Sequence, residues 1–513
     1  MTNRDTEAAW NYHNATKHSS WSVRADTHRL DWANQPLPFK IYPTLELLPL
    51  PREVPQSGIA ALSALQQPAV PPHGEVVPDL ATLAQLLFFS TGVTRRRTYP
   101  GGEIFFRAAA CTGALYEIEL YLVCGDLPGL PAGVYHFDAG EFGLRRLRAG
   151  DFRGLLARAT ASEPALTHAP VTLICTGTYW RNAWKYQART YRHFGWDNGT
   201  ILANLLAVCS ARRLPARVVC GFVDAEVNRL LDLDTVREVA FSLVPIGYQE
   251  SLPPGPAAEV VPLSLEVVPY SRREVDYPAM REMHAASSLH SPEEVVAWRG
   301  QTSALEVPPT AGATVRLEPL GSDETPRDPI EQVILRRGST RRFARQPITL
   351  PQLSTLLECA TRELAADFLE SPGTHLNHLY LIVNAVEGVP AGAYVFHPER
   401  GLLECLKEGE FRSQAQRLGL EQELPGEASV AVFFLADLEP ILARFGNRGY
   451  RTVQLEAGIL GGRLYLAAYA QRLGATGLTF YDDEVTEFFS PHAQGKSAIF
   501  LTALGKSFKR KTR

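Results

Sequence analysis

The chain has little that would tie it to a membrane, a nucleic acid or an oxidising compartment. Its 513 residues contain no apolar run long enough to cross a bilayer, and residues 1–15 are polar rather than signal-like. The formal net charge of −4 argues against a nucleic-acid groove or a polybasic membrane surface. Seven cysteines without a C-x-x-C pair favour buried thiols in a reducing cytoplasm. We therefore expect a cytoplasmic protein with neither membrane nor nucleic acid as a partner.

Two further absences narrow the possible cofactors. No G-x-G-x-x-G run lies between a strand and a helix, so a nicotinamide-binding Rossmann domain is not indicated. His13 and His18 lack a neighbouring cluster of Cys, Glu or further His, so we expect no metal site. The run from Tyr12 to Ser19 is expected instead to dock an N-terminal arm on the body of the protein.

What the sequence does contain is one module present twice. The run PAGVYHF from Pro131 returns as PAGAYVF from Pro390, 259 positions later. The same register relates Tyr191-Arg192 to Tyr450-Arg451 and, with an offset of 258 after one deletion, Asp224 to Asp482. A single register held over so long a stretch indicates a duplicated domain. Such copies usually pack about a pseudo-two-fold axis, as a homodimer fused into one chain.

Four segments follow from this repeat. We predict an N-terminal arm over residues 1–50, a first copy over 51–250, a proline-rich linker over 251–325 and a second copy over 326–513. Each copy alternates helices and strands, so the predicted fold class is α+β. Apolar spacing predicts a long central helix over 450–472, mirrored by one over 197–212. The linker is expected to cross the surface, with one helix around 291–298.

A basic run in the second copy is the first candidate binding element. In the stretch Arg336-Arg337-Gly338-Ser339-Thr340-Arg341-Arg342, four arginines surround a serine, which suits charge-assisted hydrogen bonds to a phosphate. A solvated basic turn is the alternative. At the mirror position, Gln67 to Pro71 contain no basic residue, so one copy has kept a phosphate cradle that the other has lost.

This run, the long central helix and the closing strand around 498–504 resemble the FMN-dependent nitroreductase family. Other segments resemble more narrowly the SagB-type dehydrogenases. They are the runs 12–19 and 30–36, the RAAACTGALY segment from Arg107 to Tyr116, and Trp184-Lys185-Tyr186. That subfamily includes azoline oxidases, which aromatise thiazoline and oxazoline rings in ribosomal peptides.

The resemblance implies two tandem nitroreductase-like domains that form an intrachain pseudo-dimer with one FMN in the groove between them. From the second copy it implies the phosphate cradle Arg337, Ser339 and Arg341, the ring-side strand residues Gly477 and Leu478, and the basic end Lys506 and Lys509. From the first copy it implies the loop Cys111, Thr112 and Gly113 and the catalytic pair Lys185 and Tyr186. The mirror site is expected to be broken, with Gln67 to Pro71, Ser371 to Thr374 and Arg444-Phe445 in place of these elements.

The implied activity is an FMN-dependent oxidation of a peptide or small-molecule substrate, in which hydride leaves a carbon while Lys185 or Tyr186 takes the proton. Two alternatives stay open: an NAD(P)H-dependent nitro or quinone reductase, and a non-enzymatic flavin-binding scaffold. Partners in a biosynthetic complex and further homo-oligomerisation also stay open. Cys111 is expected to be either a reactive thiol or a small packing residue. Arg95-Arg96-Arg97 is expected to be a solvated turn outside the site, with a position facing the substrate channel as the alternative.

Overall fold

The protein is described by a computed structural model covering residues 2–53, 56–66, 74–99, 102–255, 260–299, 310–369 and 374–508. The predicted mirror residues Gln67 to Pro71 lie outside these ranges, as do residues 371–373 of the mirror loop and Lys509. The four segment boundaries remain predictions.

The helices include both predicted long central ones. They are α1 (Glu7–Ala15), α2 (Ser20–Ala25), α3 (Ala61–Gln66), α4 (Leu80–Thr91), α5 (Arg153–Ala159), α6 (Pro164–Thr167), α7 (Tyr179–Tyr186), α8 (Thr190–Ala211), α9 (Asp224–Leu230), α10 (Pro278–Ala286), α11 (Pro292–Arg299), α12 (Ile330–Arg336), α13 (Leu350–Ala360), α14 (Arg412–Leu418), α15 (Glu423–Glu427), α16 (Leu438–Phe445), α17 (Arg448–Ala470) and α18 (Asp482–Phe489). Short 3-10 helices span Trp32–Asn34, Thr112–Ala114 and Gln187–Arg189. Within the described residues, no helix is both long and apolar enough to span a membrane.

The strands divide between the two halves of the chain. They are β1 (Leu47–Pro49), β2 (Val93–Tyr99), β3 (Gly102–Arg107), β4 (Ile118–Cys124), β5 (Gly133–Asp138), β6 (Gly143–Ala149), β7 (Val171–Thr178), β8 (Glu238–Ile246), β9 (Thr314–Arg316), β10 (Ile348–Thr349), β11 (His378–Val383), β12 (Val386–Glu387), β13 (Gly392–His397), β14 (Leu402–Glu408), β15 (Val430–Ala436), β16 (Gly474–Leu478) and β17 (Ser497–Gly505).

Each half is built on one antiparallel sheet. The first has the order β1-β6-β5-β4-β7-β8 and the second the order β16-β17-β15-β11-β13-β14-β9. Every residue of the central strands β4, β7 and β15 is buried, as expected where helices cover a sheet on both faces. The outer strands β1 and β9 come from the segments predicted as arm and linker. The predicted α+β class is confirmed.

The halves meet along the two long helices α8 and α17. Gly199 and Gly458 are equivalent under the 259-residue offset, and they face each other at the crossing. A Cβ atom on Gly199 would lie 2.4 Å from the carbonyl carbon of Gly458. Glycine is therefore needed for the helices to approach so closely. Contact between equivalent residues is the mark of a two-fold interface, so the chain is an intrachain pseudo-dimer.

Two reciprocal ion-pair clusters obey the same symmetry. The contacts are Asp224 with Arg448 (2.7 Å) and Arg451 (2.8 Å), and Asp482 with Arg189 (3.1 Å) and Arg192 (2.6 Å). Each aspartate belongs to one half and both of its arginines to the other. All six side chains are buried, so the interface holds its charges as matched pairs.

The expectation of a turn at Arg95-Arg96-Arg97 is wrong. These residues lie in strand β2, which pairs with β3 as a separate two-stranded sheet. Arg95 stacks over Phe106 at 4.5 Å, and Arg96 over Phe105 at 5.3 Å. The aromatic rings of β3 give the arginine side chains an apolar surface to pack on. The number of charged residues along the sequence does not reveal this packing.

Candidate active site

A cavity of about 1500 Å³ lies between the two halves. Both copies and the N-terminal arm contribute to its wall. Ten of the predicted site residues line it: Cys111, Thr112, Gly113, Lys185, Tyr186, Arg337, Ser339, Arg341, Gly477 and Leu478. Lys506 follows β17 and is not among the lining residues. The structure thus brings together residues from distant parts of the sequence at one inter-copy groove.

The arginine–serine–arginine run occupies the wall from the second half. Helix α12 ends at Arg336, and the chain then runs alongside β16, where the Thr340 amide donates to the Ala475 carbonyl (2.9 Å). The Arg337 guanidinium donates to the carbonyls of Ala108 (2.9 Å) and Arg107 (3.1 Å) in the other half. Arg337 is thereby fixed in place.

The other two cradle side chains are less constrained. The Ser339 hydroxyl lies 3.4 Å from the Tyr465 hydroxyl. Arg341 is exposed at the cavity and makes no ion pair with a described residue. A serine hydroxyl and a guanidinium without a carboxylate partner are suitable donors for a phosphate.

The loop from the first half is held by Asp197 of α8. The Asp197 carboxylate accepts from the Thr112 amide (2.9 Å) and the Thr112 hydroxyl (2.9 Å). Gly113 has a φ of 65°, and a Cβ there would lie 2.8 Å from the Tyr186 hydroxyl oxygen. Both conditions favour glycine, because other residues rarely adopt that φ and a side chain would have to displace the Tyr186 hydroxyl. The loop and Tyr186 therefore pack as one unit.

Cys111 of this loop is partly buried and lies beside two buried acids, Glu117 and Asp197. The Cys111 Sγ lies 3.3 Å from a carboxylate oxygen of Asp197 and 3.4 Å from one of Glu117, so its single proton can be donated to either carboxylate. Burial, together with the neighbouring carboxylates, raises the pKa of the Cys111 thiol well above its usual value. Burial and the Asp197 charge likewise raise the pKa of Glu117. Cys111 is accordingly a protonated hydrogen-bond donor rather than a reactive thiolate.

Among the described residues, these three side chains are the group whose spacing would allow a metal ion to bind. Their ligand atoms lie within 4.8 Å of one another.

Asp197 has a counterpart in Glu456, 259 positions later, whose carboxylate accepts hydrogen bonds from the Leu376 and Asn377 amides (both 2.9 Å). This correspondence was the signal in the sequence that could have identified Asp197 as the residue that positions the loop.

Lys185 and Tyr186 end helix α7 at the cavity wall. The Lys185 ammonium lies 5.2 Å from the centre of the Tyr186 ring, and that ring packs edge-on with His193, with ring centres 4.8 Å apart. Burial and the charge of Arg341 lower the pKa of Lys185. Burial, with Asp197 adding to it, raises the pKa of Tyr186. Lysine therefore loses a proton more readily than usual, whereas the tyrosine keeps its proton.

The position in the other half that mirrors the Lys185-Tyr186 site is occupied by side chains of the protein. Phe445, the counterpart of Tyr186, is buried against Trp298 of α11, with ring centres 5.3 Å apart. The Trp298 indole donates to the Phe445 carbonyl (3.0 Å). Asp367 accepts from the amides of Cys220 and Gly221 (both 2.8 Å), and Cys220 is the counterpart of Leu478. The segment predicted as a surface linker thus supplies a buried plug.

The N-terminal arm docks where the sequence predicted. Tyr12 and His13 are buried, and His13 Nδ1 lies 3.2 Å from the Tyr450 hydroxyl. The amide of His18 donates to Asp482 (2.8 Å). Helix α2 then continues along the cavity, where Trp21 is 78% exposed. The arm therefore forms one wall of the cavity.

The fold consists of two equivalent modules with a large cavity between them, and comparisons with known proteins identify the modules. A model of the nitroreductase family matches residues 131–248 and 334–496, one range in each copy and together more than half of the chain. The chain belongs to the nitroreductase family. The tandem arrangement of two nitroreductase-like domains, predicted from the repeat together with the family resemblance, is confirmed.

Individual relatives support this assignment. A candidate nitroreductase of Methanocaldococcus jannaschii is 31% identical over 163 residues, which are 31% of this chain and 82% of the relative. A crystal structure of a candidate nitroreductase from Anabaena variabilis is 26% identical and covers 98% of this chain and 99% of its own, with a TM-score of 0.76. A chain of the E. coli microcin synthetase McbBCD complex, solved with truncated pro-MccB17 bound, is 19% identical over 48% of this chain and 95% of its own. Its TM-score is 0.33.

Proposed function

We propose that this protein is an FMN-dependent dehydrogenase of the SagB type, which oxidises a peptide or peptide-derived azoline to an azole. The observation that carries the proposal is the composition of the inter-copy cavity. Its wall combines the Arg337, Ser339 and Arg341 donors of one half with the Lys185-Tyr186 pair of the other. Neither half has both elements.

The residues present suit FMN. Ser339 and Arg341 offer donors without strong protein acceptors, as a phosphate site requires. A volume of about 1500 Å³ exceeds the roughly 300–1,000 Å³ usual for one small ligand, which leaves space for a substrate beside the cofactor. FMN, when bound, supplies the acceptor for a hydride.

The chain's own residues would then handle the proton. Lys185, with its lowered pKa, is the better candidate for the base that takes the proton released when the azoline ring is oxidised. Tyr186, with its raised pKa, keeps its hydroxyl proton and would orient the ring as a hydrogen-bond donor. Its contact with Gly113 fixes its position relative to the loop.

An NAD(P)H-dependent nitro or quinone reductase is the second candidate function. It is favoured by the likeness to the candidate nitroreductase of Methanocaldococcus jannaschii. Anaerobic mixing of the FMN-loaded protein with a thiazoline peptide or with NAD(P)H separates the two functions. Bleaching of the flavin band by the peptide supports the dehydrogenase, and bleaching by NAD(P)H alone supports the reductase. A non-enzymatic flavin-binding scaffold is disfavoured because the cavity keeps the cradle residues beside Lys185 and Tyr186.

We expect the purified protein to carry one FMN per chain. Among the described residues, Trp298 and Asp367 occupy the mirror position, so we expect no second cofactor there. Flavin absorbance after denaturation, divided by the protein concentration, measures the ratio. Two equivalents per chain would contradict the asymmetric site.

Removing a cradle arginine should release the cofactor. Arg337→Ala and Arg341→Ala each remove charge-assisted donors worth about 1.5–3 kcal/mol, so FMN affinity should fall about tenfold to a hundredfold. Arg341→Ala is the cleaner variant, because Arg337 also joins the two halves. Titration of apoprotein with FMN, followed by flavin fluorescence, gives both affinities.

The matched control for this experiment is Arg342→Ala. Arg342 is the next residue along and has the same charge, but it stacks over Phe508 and does not line the cavity. Its FMN affinity should equal that of the wild type. Equal losses from Arg341→Ala and Arg342→Ala would show that net charge, and not a cradle, governs binding.

A further inference from the structure

The β2–β3 hairpin presents arginines to the cavity with the periodicity of a strand. Side chains alternate between the two faces of a strand. Arg95 and Arg97 line the cavity, whereas Arg96 does not. Arg96 instead stacks over Phe105, which packs edge-on against Phe39 at 5.0 Å. The hairpin therefore has one face toward the cavity and one toward the body of the protein.

The arginines on the cavity face lack carboxylate partners. Among the described residues, neither Arg95 nor Arg97 makes an ion pair. The nearby acid on the hairpin, Glu103, interacts instead with the Thr98 hydroxyl (3.4 Å). Asp197, an acid of the cavity wall, is engaged by Thr112. Two exposed guanidiniums at the edge of a large cavity are consequently available to an anion.

These cations exceed what the cofactor needs. The proposed cradle already places Arg337 and Arg341 at the phosphate, and the cavity extends beyond them to Arg97 and to Trp21 of the arm. Arg95 and Arg97 add positive charge to the cavity wall, which also includes the exposed aromatic ring of Trp21. Such a surface is suited to binding a peptide that carries carboxylates, in addition to its small neutral ring.

We propose that Arg95 and Arg97 form an anion subsite that binds carboxylates flanking the reacting ring of an acidic peptide substrate. This inference rests on the proposed function for its choice of a peptide, and it adds the substrate's charge. An anionic group could also come from the phosphates of a pyridine nucleotide, so the experiment must separate these two sources.

The test measures binding to the FMN-loaded protein without turnover. The probe is a rhodamine-labelled peptide that carries one thiazole, the product ring, flanked by glutamates. A second peptide has glutamines in their place. For the Arg95→Gln/Arg97→Gln variant, fluorescence anisotropy should give about threefold to tenfold weaker binding of the glutamate peptide, a size typical of exposed charge pairs. Binding of the glutamine peptide should not change.

Two matched variants make the result interpretable. Arg96→Gln removes one charge from the same hairpin on the opposite face, and we expect it to bind both peptides as the wild type does. Arg95→Lys/Arg97→Lys keeps the charge and should recover most of the lost affinity. Added salt should weaken the glutamate peptide more than the glutamine peptide, since screening acts on the charge.

Several results would overturn the subsite. Equal binding of both peptides by wild type and double variant would exclude a carboxylate. Weaker NADPH binding with unchanged peptide binding would assign the arginines to a nucleotide phosphate, and loss of FMN would assign them to the cofactor site. If the glutamate peptide binds through these arginines but the corresponding thiazoline is not oxidised, the subsite stands and the proposed dehydrogenase function falls.

Discussion

Replacement of Lys185 by alanine together with Tyr186 by phenylalanine is expected to slow substrate-driven flavin reduction by about 10²–10⁴, the usual contribution of a positioned acid–base group. FMN should stay bound, because neither residue belongs to the phosphate cradle. Reduction by NAD(P)H needs no proton abstraction from a substrate carbon, so its rate should change little. Anaerobic stopped-flow absorbance with a thiazoline peptide and with NAD(P)H measures both rates.

The mirror residue supplies the control for this experiment. Arg444→Ala removes one cation from the equivalent position of the other half, which is covered by the plug of α11 and is not part of the cavity. Its rates should match those of the wild type. A double variant that bleaches as fast as the wild type would make Lys185 and Tyr186 structural.

The single variants distinguish the two roles. Because its pKa is lowered, Lys185 is the candidate base, so Lys185→Ala should account for most of the loss. The wild-type rate should rise with pH as Lys185 loses its proton, at a lower pH than an ordinary lysine would require. Tyr186→Phe should keep this pH profile with a smaller loss in rate. A profile that follows Tyr186 instead would reverse the two assignments.

The repeat was the part of the fold that sequence alone could predict. Equivalent residues such as Asp224 and Asp482 are visible as an offset, and a duplicated domain has few ways to pack. The long helix of the first half was predicted to begin at Asp197 but begins at Thr190. Residues 190–196 are buried and mostly polar or aromatic: Arg192 and Trp196 contact the other half, and Phe194 packs against Phe241 of its own half. Their pattern therefore does not show the apolar periodicity of a helix that covers its own sheet.

The candidate site was predicted in part for a related reason. The resemblance to the nitroreductase family identified residues whose types match the family's motifs, such as Arg341 and Tyr186. It did not identify Trp298, which fills the mirror position, because that contact joins a linker to a distant helix end. Nor did it identify Glu117, whose raised pKa arises only when folding brings it beside Asp197. Contacts between segments so distant in sequence leave no local pattern to detect.

The interface aspartate Asp224 should be the residue whose loss most destabilises the pseudo-dimer. It is buried between Arg448 and Arg451 of the other half. Asp224→Asn leaves two buried guanidiniums without a counter-charge, which typically costs about 3–5 kcal/mol. Burial alone would raise the pKa of Asp224, but Arg448 and Arg451 outweigh burial and hold it well below its usual value.

The sign of the pH dependence follows from that lowered pKa. The contribution of Asp224 is fully present above the pKa of an unfolded aspartate and is lost as the pH falls toward the folded-state value. Urea denaturation should give a large loss of stability for Asp224→Asn at neutral pH and a smaller one in acid.

The control is Asp276→Asn, whose partner Arg281 lies 2.9 Å away at the surface, where such pairs contribute about 0–1 kcal/mol. FMN content per folded chain should stay unchanged in both variants, because Asp224 lies on the same side of the interface as the Trp298 plug and not on the side of the cavity. Similar losses from the two substitutions would mean that the buried cluster does not hold the halves together.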